Sequence, residues 1–329
     1  PNLFSTGISG QQWLDLNQDP HRPLVNRATQ GSYPPGSVFK VVTMAAGLDR
    51  GGLDPDSRFA CEGTWTGLGQ DVPKPCWLLS GHGSIPLTKA LRVSCDITFY
   101  QVGLVLDGQD PMALPTYARD FGLGARTGIQ VEEEAGLVPD PPWKIQAKGE
   151  GRAPGDSVNL AIGQSELLAT PLQVATMMAA VGNGGTLYRP SVVEMVASDP
   201  DSPDWVFTPT AVAQIPLGEG DLAAIQDSLH AATSVQDGTA YEALRGTSPQ
   251  VAGKTGTAES GAEEPHAWFA GYAPAGDPEI AIAVILEYGG AGGENAAPIF
   301  RQVVEAYFRA SPTLGAAFPV PDAEASATQ

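Results

Sequence analysis

Tyr33-Pro34-Pro35-Gly36-Ser37-Val38-Phe39-Lys40 runs directly into Val41-Val42-Thr43-Met44-Ala45-Ala46-Gly47-Leu48, and the reading of this stretch decides the fold. Two prolines and a glycine ahead of a run with no polar face predict a helix start, then a helix buried on every side. Ser37 and Lys40 are the reactive groups that interrupt it. Residues three apart share a helix face, so hydroxyl and amine are neighbours. A serine in a first helical turn lies among unpaired backbone N–H groups, where a developing negative charge is stabilised. Burial strips hydration from an ammonium, so the lysine pKa is expected to fall from about 10.4 toward a range where it accepts a proton. The pair reads as a serine nucleophile with its own base. The plainer alternative is a core helix with a capping serine and a lysine that reaches to water. Ser-x-x-Lys alone does not decide between them.

Working outward, the chain has 329 residues and a net charge of −19, with no basic stripe. That excludes binding to a nucleic-acid backbone. The low charged content and many Gly and Pro suit a loop-rich α/β enzyme. No apolar stretch is long enough to span a bilayer. Residues 1–36 and 53–83 read as loops, and 107–165 as loops with short helices, where Glu132-Glu133-Glu134 forms a solvated face. Apolar spacing predicts helices over 86–93, 97–106, 171–181 and 221–233, the third opened by a Thr170 N-cap and Pro171. Strands are predicted over 249–258, 266–273 and 279–288. A final helix should bury Ile299, Val303, Val304, Tyr307 and Phe308, and residues 311–329 read as a disordered tail. Strand–strand–strand–helix after a helical middle points to a mostly antiparallel sheet covered by helices on both faces, plus a helical subdomain. His21 and His230 read as surface residues and His266 as a strand start near a cleft.

Two more motifs change the weight of the first. Lys254-Thr255-Gly256-Thr257 lies on a predicted strand, so Thr255 and Thr257 share one face while Lys254 and Gly256 share the other. Paired hydroxyls beside a lysine suit a carboxylate, and the glycine lets a neighbouring backbone approach. Ser94-Cys95-Asp96 falls between two predicted helices. Ser-x-x-Lys, Ser-x-Asp and Lys-Thr-Gly, in that order and in those contexts, mark penicillin-binding proteins and serine β-lactamases.

Residues 1–310 resemble the transpeptidase domain of class B penicillin-binding proteins. Further stretches carry the likeness: Asn26-Arg27-Ala28, Gly81-His82-Gly83, Ala161-Ile162-Gly163-Gln164 and Trp268-Phe269-Ala270-Gly271-Tyr272. Asp96, where Asn is commoner, is similar to the cell-elongation branch. The resemblance implies the α/β (α+β) fold of penicillin-binding proteins and serine β-lactamases, lacking its membrane anchor, pedestal and first strand. It implies that Ser37 attacks a D-Ala-D-Ala peptidoglycan stem peptide with Lys40 as base, and that the N–H groups of Ser37 and Thr257 hold the oxyanion. Ser94 and Lys254 then relay a proton, and Asp96 holds the loop. Thr255 and Thr257 bind the terminal carboxylate, with Gly256 and Trp268 completing the substrate-binding set. β-Lactams acylate the same serine. Partners implied are a lipid-II-polymerising membrane glycosyltransferase and elongation-complex proteins, at the outer face of the cytoplasmic membrane. A β-lactamase or a β-lactam sensor domain is the alternative, although no convincing glutamate is in place to direct a deacylating water.

The chemistry needs no cofactor. All three cysteines nevertheless lie between Cys61 and Cys95, with His82 among them. In an exported protein this spacing fits a Cys61–Cys76 disulfide with Cys95 as a buried thiol. Equally, Cys61, Cys76, His82 and Cys95 fit a closed structural zinc site. The resemblance to elongation-type enzymes, which place metal ligands at this spacing, adds support to zinc.

Overall fold

The structure is a computed structural model and describes residues 2–5, 7–199 and 202–310. The tail expected over 311–329 lies outside the described residues. At its centre is a three-stranded antiparallel sheet of β1 (Ala252–Ala258), β2 (His266–Ala273) and β3 (Ile280–Leu286), in the order β3-β2-β1. Every strand pairing among the described residues is antiparallel. β2 lies in the middle and all eight of its residues are buried, as a strand covered on both faces and both edges must be.

Each face of this sheet has its own core. On one side β1 meets the tight turn Gly36–Phe39, which opens α1 (Lys40–Asp49). Lys40 through Leu48 are all buried, because α1 also packs against α3 (Asp96–Gln109) and Ala113–Asp120. The helices α4 (Pro171–Gly182) and α5 (Glu219–Ser234) complete this side. Thr170 caps α4 in a reciprocal box with Gln173 and Pro171 stands in its first turn, as the sequence predicts. The second core lies across the sheet under α6 (Ala297–Ala310) and joins Ala267 and Phe269 to Phe300 and Val304. Val303, expected in that core, is 43% exposed, and Phe300 takes its place.

Three regions read as loops contain regular structure. Within 1–36 lie the helices Gly10–Gln18 and Arg27–Gln30. Gly10–Gln18 buries none of its residues, so its sequence lacks the apolar stripe that announces a helix. Between 53 and 83 the chain folds into short hairpin strands, with Arg58–Cys61 paired to Gly83–Pro86. Glu133 is no solvated face: it accepts bonds from the Thr127 amide and hydroxyl and the Gly128 amide. His230 also departs from expectation, since its Nε2 is buried. Among the described residues no helix is long and apolar enough to cross a membrane.

Candidate active site

The Gly36–Phe39 turn is forced against β1 by glycines. Gly36 has a φ of 54°, and a Cβ there would sit 2.7 Å from the Thr257 carbonyl oxygen. A Cβ on Gly256 would stand 3.0 Å from Pro35 O and 2.9 Å from Val38 Cγ2. Both glycines therefore exist to let the Ser37 turn lie on the Lys-Thr-Gly strand. Gly36 N–H donates to Gly163 O at 2.9 Å and Gln164 Nε2 to Thr257 O at 3.4 Å. Ser37 itself is half-buried at this junction.

The Trp268 indole N–H donates to Pro34 O at 3.0 Å, and the side chain is completely buried. This corrects the expectation that Trp268 binds substrate: a fully covered ring holds the Tyr33-Pro34-Pro35 segment in place instead. The Tyr33 hydroxyl donates to Glu287 at 2.7 Å, which anchors the same segment from its other end.

Lys40 directs its hydrogen bonds to the Ser-x-Asp loop. Its fully buried Nζ donates to Asp96 Oδ1 at 2.7 Å, Ser94 O at 2.9 Å and Ser94 Oγ at 3.2 Å. Three acceptors match the three N–H donors of an ammonium, and the Asp96 carboxylate outcompetes a neutral hydroxyl. Ser94 has a positive φ of 56°, a left-handed bend that brings its carbonyl and hydroxyl to one amine. Asp96 Oδ2 accepts the Trp77 N–H at 3.1 Å, which ties this loop to the cysteine-bearing segment.

Lys254 is the second buried amine. Burial, then the neighbouring charge of Lys40, hold its pKa well below the usual lysine range, with Asp96 opposing. Its Nζ donates to Thr255 O at 3.0 Å. Strand parity holds: Lys254, Gly256 and Trp268 face the α1 side, and Thr255 stands opposite Phe269, which faces α6. Thr257 is exposed while Thr255 is only 7% exposed, its Oγ1 sharing a 2.7 Å hydrogen bond with Thr239 Oγ1. Sequence reasoning missed Thr239, which sits in a turn with no recognisable spacing to any motif.

Cys61, Cys76, His82 and Cys95 converge, with ligand atoms all within 4.8 Å of one another. All three cysteines are free thiols, so the Cys61–Cys76 disulfide is not formed. His82 Nδ1 lies 3.5 Å from Cys61 Sγ and 3.6 Å from Cys76 Sγ. Bonds of about 2.3 Å to sulfur and about 2.0 Å to nitrogen, at the tetrahedral angle, give a sulfur–nitrogen edge of about 3.6 Å. The two thiol–imidazole separations thus match the edge of a zinc tetrahedron, with the Cys95 thiol in the same cluster. A thiol hydrogen bond from Cys95 brings the Cys76 pKa down to about 5 and pushes that of Cys95 up.

A serine on a tight turn, two buried lysines, a bent Ser-x-Asp loop and a strand with paired threonines are thus brought to one junction of helix and sheet. Residues 5–305 match the penicillin binding protein transpeptidase domain, and the chain belongs to that family. It is 31% identical over 341 residues to peptidoglycan D,D-transpeptidase MrdA of Salmonella typhimurium, covering 94% of this chain and 52% of that protein. The chain therefore spans about half the length of this curated relative. A solved structure of Pseudomonas aeruginosa PBP2 in complex with WCK 5153 superposes with a TM-score of 0.83 at 32% identity, covering 93% of this chain and 68% of that one. Penicillin-binding protein A from Mycobacterium tuberculosis, solved as its penicillin G acyl-enzyme, gives a TM-score of 0.75 at 31% identity, covering 91% and 66%.

Proposed function

We propose that this chain is the catalytic domain of an elongation-type peptidoglycan D,D-transpeptidase. The observation that carries the reading is the meeting of three sequence-distant motifs around one buried amine, Lys40, beside a serine pressed against the Lys-Thr-Gly strand. Ser37 Oγ attacks the carbonyl between the two terminal D-alanines of a stem peptide. Lys254, whose pKa burial lowers, first takes a proton from Lys40, and Lys40 then accepts the proton of Ser37. The Ser37 and Thr257 N–H groups stabilise the oxyanion. As the C–N bond breaks, Lys254 with Ser94 returns a proton to the departing D-alanine amine, which leaves an ester on Ser37. An amine from a neighbouring stem peptide attacks that ester, giving up a proton as Ser37 regains one. Thr255 and Thr257 bind the terminal carboxylate. A β-lactam, whose ring amide and carboxylate copy the D-Ala-D-Ala end, acylates Ser37 and stays.

In this reading Cys61, Cys76, His82 and Cys95 would hold a structural zinc, which would supply rigidity rather than chemistry. The enzyme acts at the outer face of the cytoplasmic membrane, anchored through a helix outside these residues, beside a lipid-II-polymerising glycosyltransferase and elongation-complex proteins.

Intact-mass spectrometry with benzylpenicillin tests the reading. The expected result is one slowly released acyl group on the wild type and none on Ser37→Ala. Labelling of Ser37→Ala at the wild-type rate would remove the assignment, and release within seconds would point to a β-lactamase.

A further inference from the structure

Thr239 lies outside every motif described above, in the turn between α5 and the short helix Tyr241–Leu244. Its Oγ1 stands 2.7 Å from Thr255 Oγ1. The turn that carries it is held from three directions. A Cβ on Gly238 would fall 2.4 Å from Ala232 O, so the chain lies directly on the end of α5. Asp237 accepts from Arg92 at 2.8 Å and pairs with Lys89 at 3.3 Å, two residues of the helix α2 (Leu87–Arg92) that leads into Ser94. From the far side, a Cβ on Gly293 would lie 2.5 Å from Thr239 O and 3.5 Å from Thr255 Cγ2. The backbone that presents the two hydroxyls to each other is thus closely packed.

A hydroxyl has one proton to donate and two lone pairs that accept. If Thr255 donates to Thr239, it offers a carboxylate only lone pairs, which repel it. If Thr239 donates, the Thr255 proton is free to point at the ligand and is polarised by the bond behind it. Thr255 is only 7% exposed, so solvent has little access to take over the donor's role. We propose that Thr239 is a positioning residue for carboxylate recognition: its O–H donates to Thr255 Oγ1 and aims the Thr255 proton at the terminal carboxylate of a stem peptide or β-lactam. The proposal rests on the transpeptidase reading above and deepens it.

The experiment compares acylation of Ser37 by benzylpenicillin and by its methyl ester, which lacks the carboxylate. The ratio of the two rates on one sample does not depend on how much of that sample is folded. Thr239→Val keeps the shape without the hydroxyl and should lower the acid-to-ester ratio by about tenfold, the size of one lost charge-assisted hydrogen bond. Thr239→Ser should keep it within about twofold of wild type. Thr255→Val should lower the ratio as Thr239→Val does, and the double variant should fall little further. Equal losses on both probes in Thr239→Val would show a merely structural threonine and overturn the proposal, as would an unchanged ratio. A wild type that neither probe acylates would remove the transpeptidase reading and this proposal with it. An acylating wild type whose ratio ignores Thr239 sinks the proposal alone.

Discussion

Asp96→Asn is the most informative single change, because it removes the counter-charge of Lys40 at nearly constant volume. Lys40 Nζ is completely buried, and Asp96 Oδ1 is 2.7 Å away on a side chain 16% exposed. An asparagine occupies nearly the same volume but offers one acceptor oxygen for the two bonds that Asp96 accepts, from Lys40 Nζ and from the Trp77 N–H. What is lost is the counter-charge of a buried amine and one of those two bonds. Breaking a buried pair from one side costs about 3–5 kcal/mol, and the partial exposure of Asp96 favours about 3 kcal/mol. For roughly 300 ordered residues the unfolding entropy is about 0.6 kcal/mol/K, so the melting temperature should fall by about 5 °C. Calorimetry at neutral pH reads this directly. A double-mutant cycle with Lys40→Met isolates the pair, and the two losses should be strongly non-additive. Additive losses, or a shift under about 1 °C for Asp96→Asn, would refute the claim that this carboxylate holds Lys40 in place. Penicillin acylation should fall in the same variant, since the Ser94 loop shares those bonds.

Two further outcomes follow from other parts of the site. Removing zinc with a chelator should lower the melting temperature and slow acylation together, because Cys95 sits between Ser94 and Asp96 and metal-binding energy there is folding energy. Elemental analysis should find about one zinc per chain; protein isolated metal-free at full stability would remove the site. His266 makes part of the stability depend on pH. Burial holds its pKa below 6.5, with Glu287 opposing, and its Nδ1 accepts the Tyr288 N–H at 3.1 Å. The unfolded chain therefore binds more protons below 6.5, so this contribution is complete above that pH and is lost as pH falls through the lower folded value. His266→Asn should flatten the fall in melting temperature over that acidic window, and an unaltered slope would show that another group sets it.

Periodicity alone determined the frame. The apolar run behind Ser37, the Thr170-Pro171 helix start and the three C-terminal strands are legible because a buried helix or strand must be apolar on the faces it hides. The three motifs were legible through their joint order and contexts, whereas the cysteine–histidine spacing fitted a disulfide as well as a metal site. Tertiary structure decided which partner each group takes. Lys40 stands three residues from Ser37 in the chain, yet a carboxylate 56 residues on claims its amine, because charge outweighs a neutral hydroxyl in a buried setting. Trp268 reads as a substrate contact and proves to be a fully covered brace, since nothing in its own stretch says which layer will cover the strand. The free thiols at metal-ligand distance, rather than a disulfide, follow from how a hairpin and two helices bring Cys61, Cys76 and Cys95 together. Thr239 was invisible for the same reason: its role lies in one 2.7 Å contact across 16 residues of chain, and no local pattern encodes it.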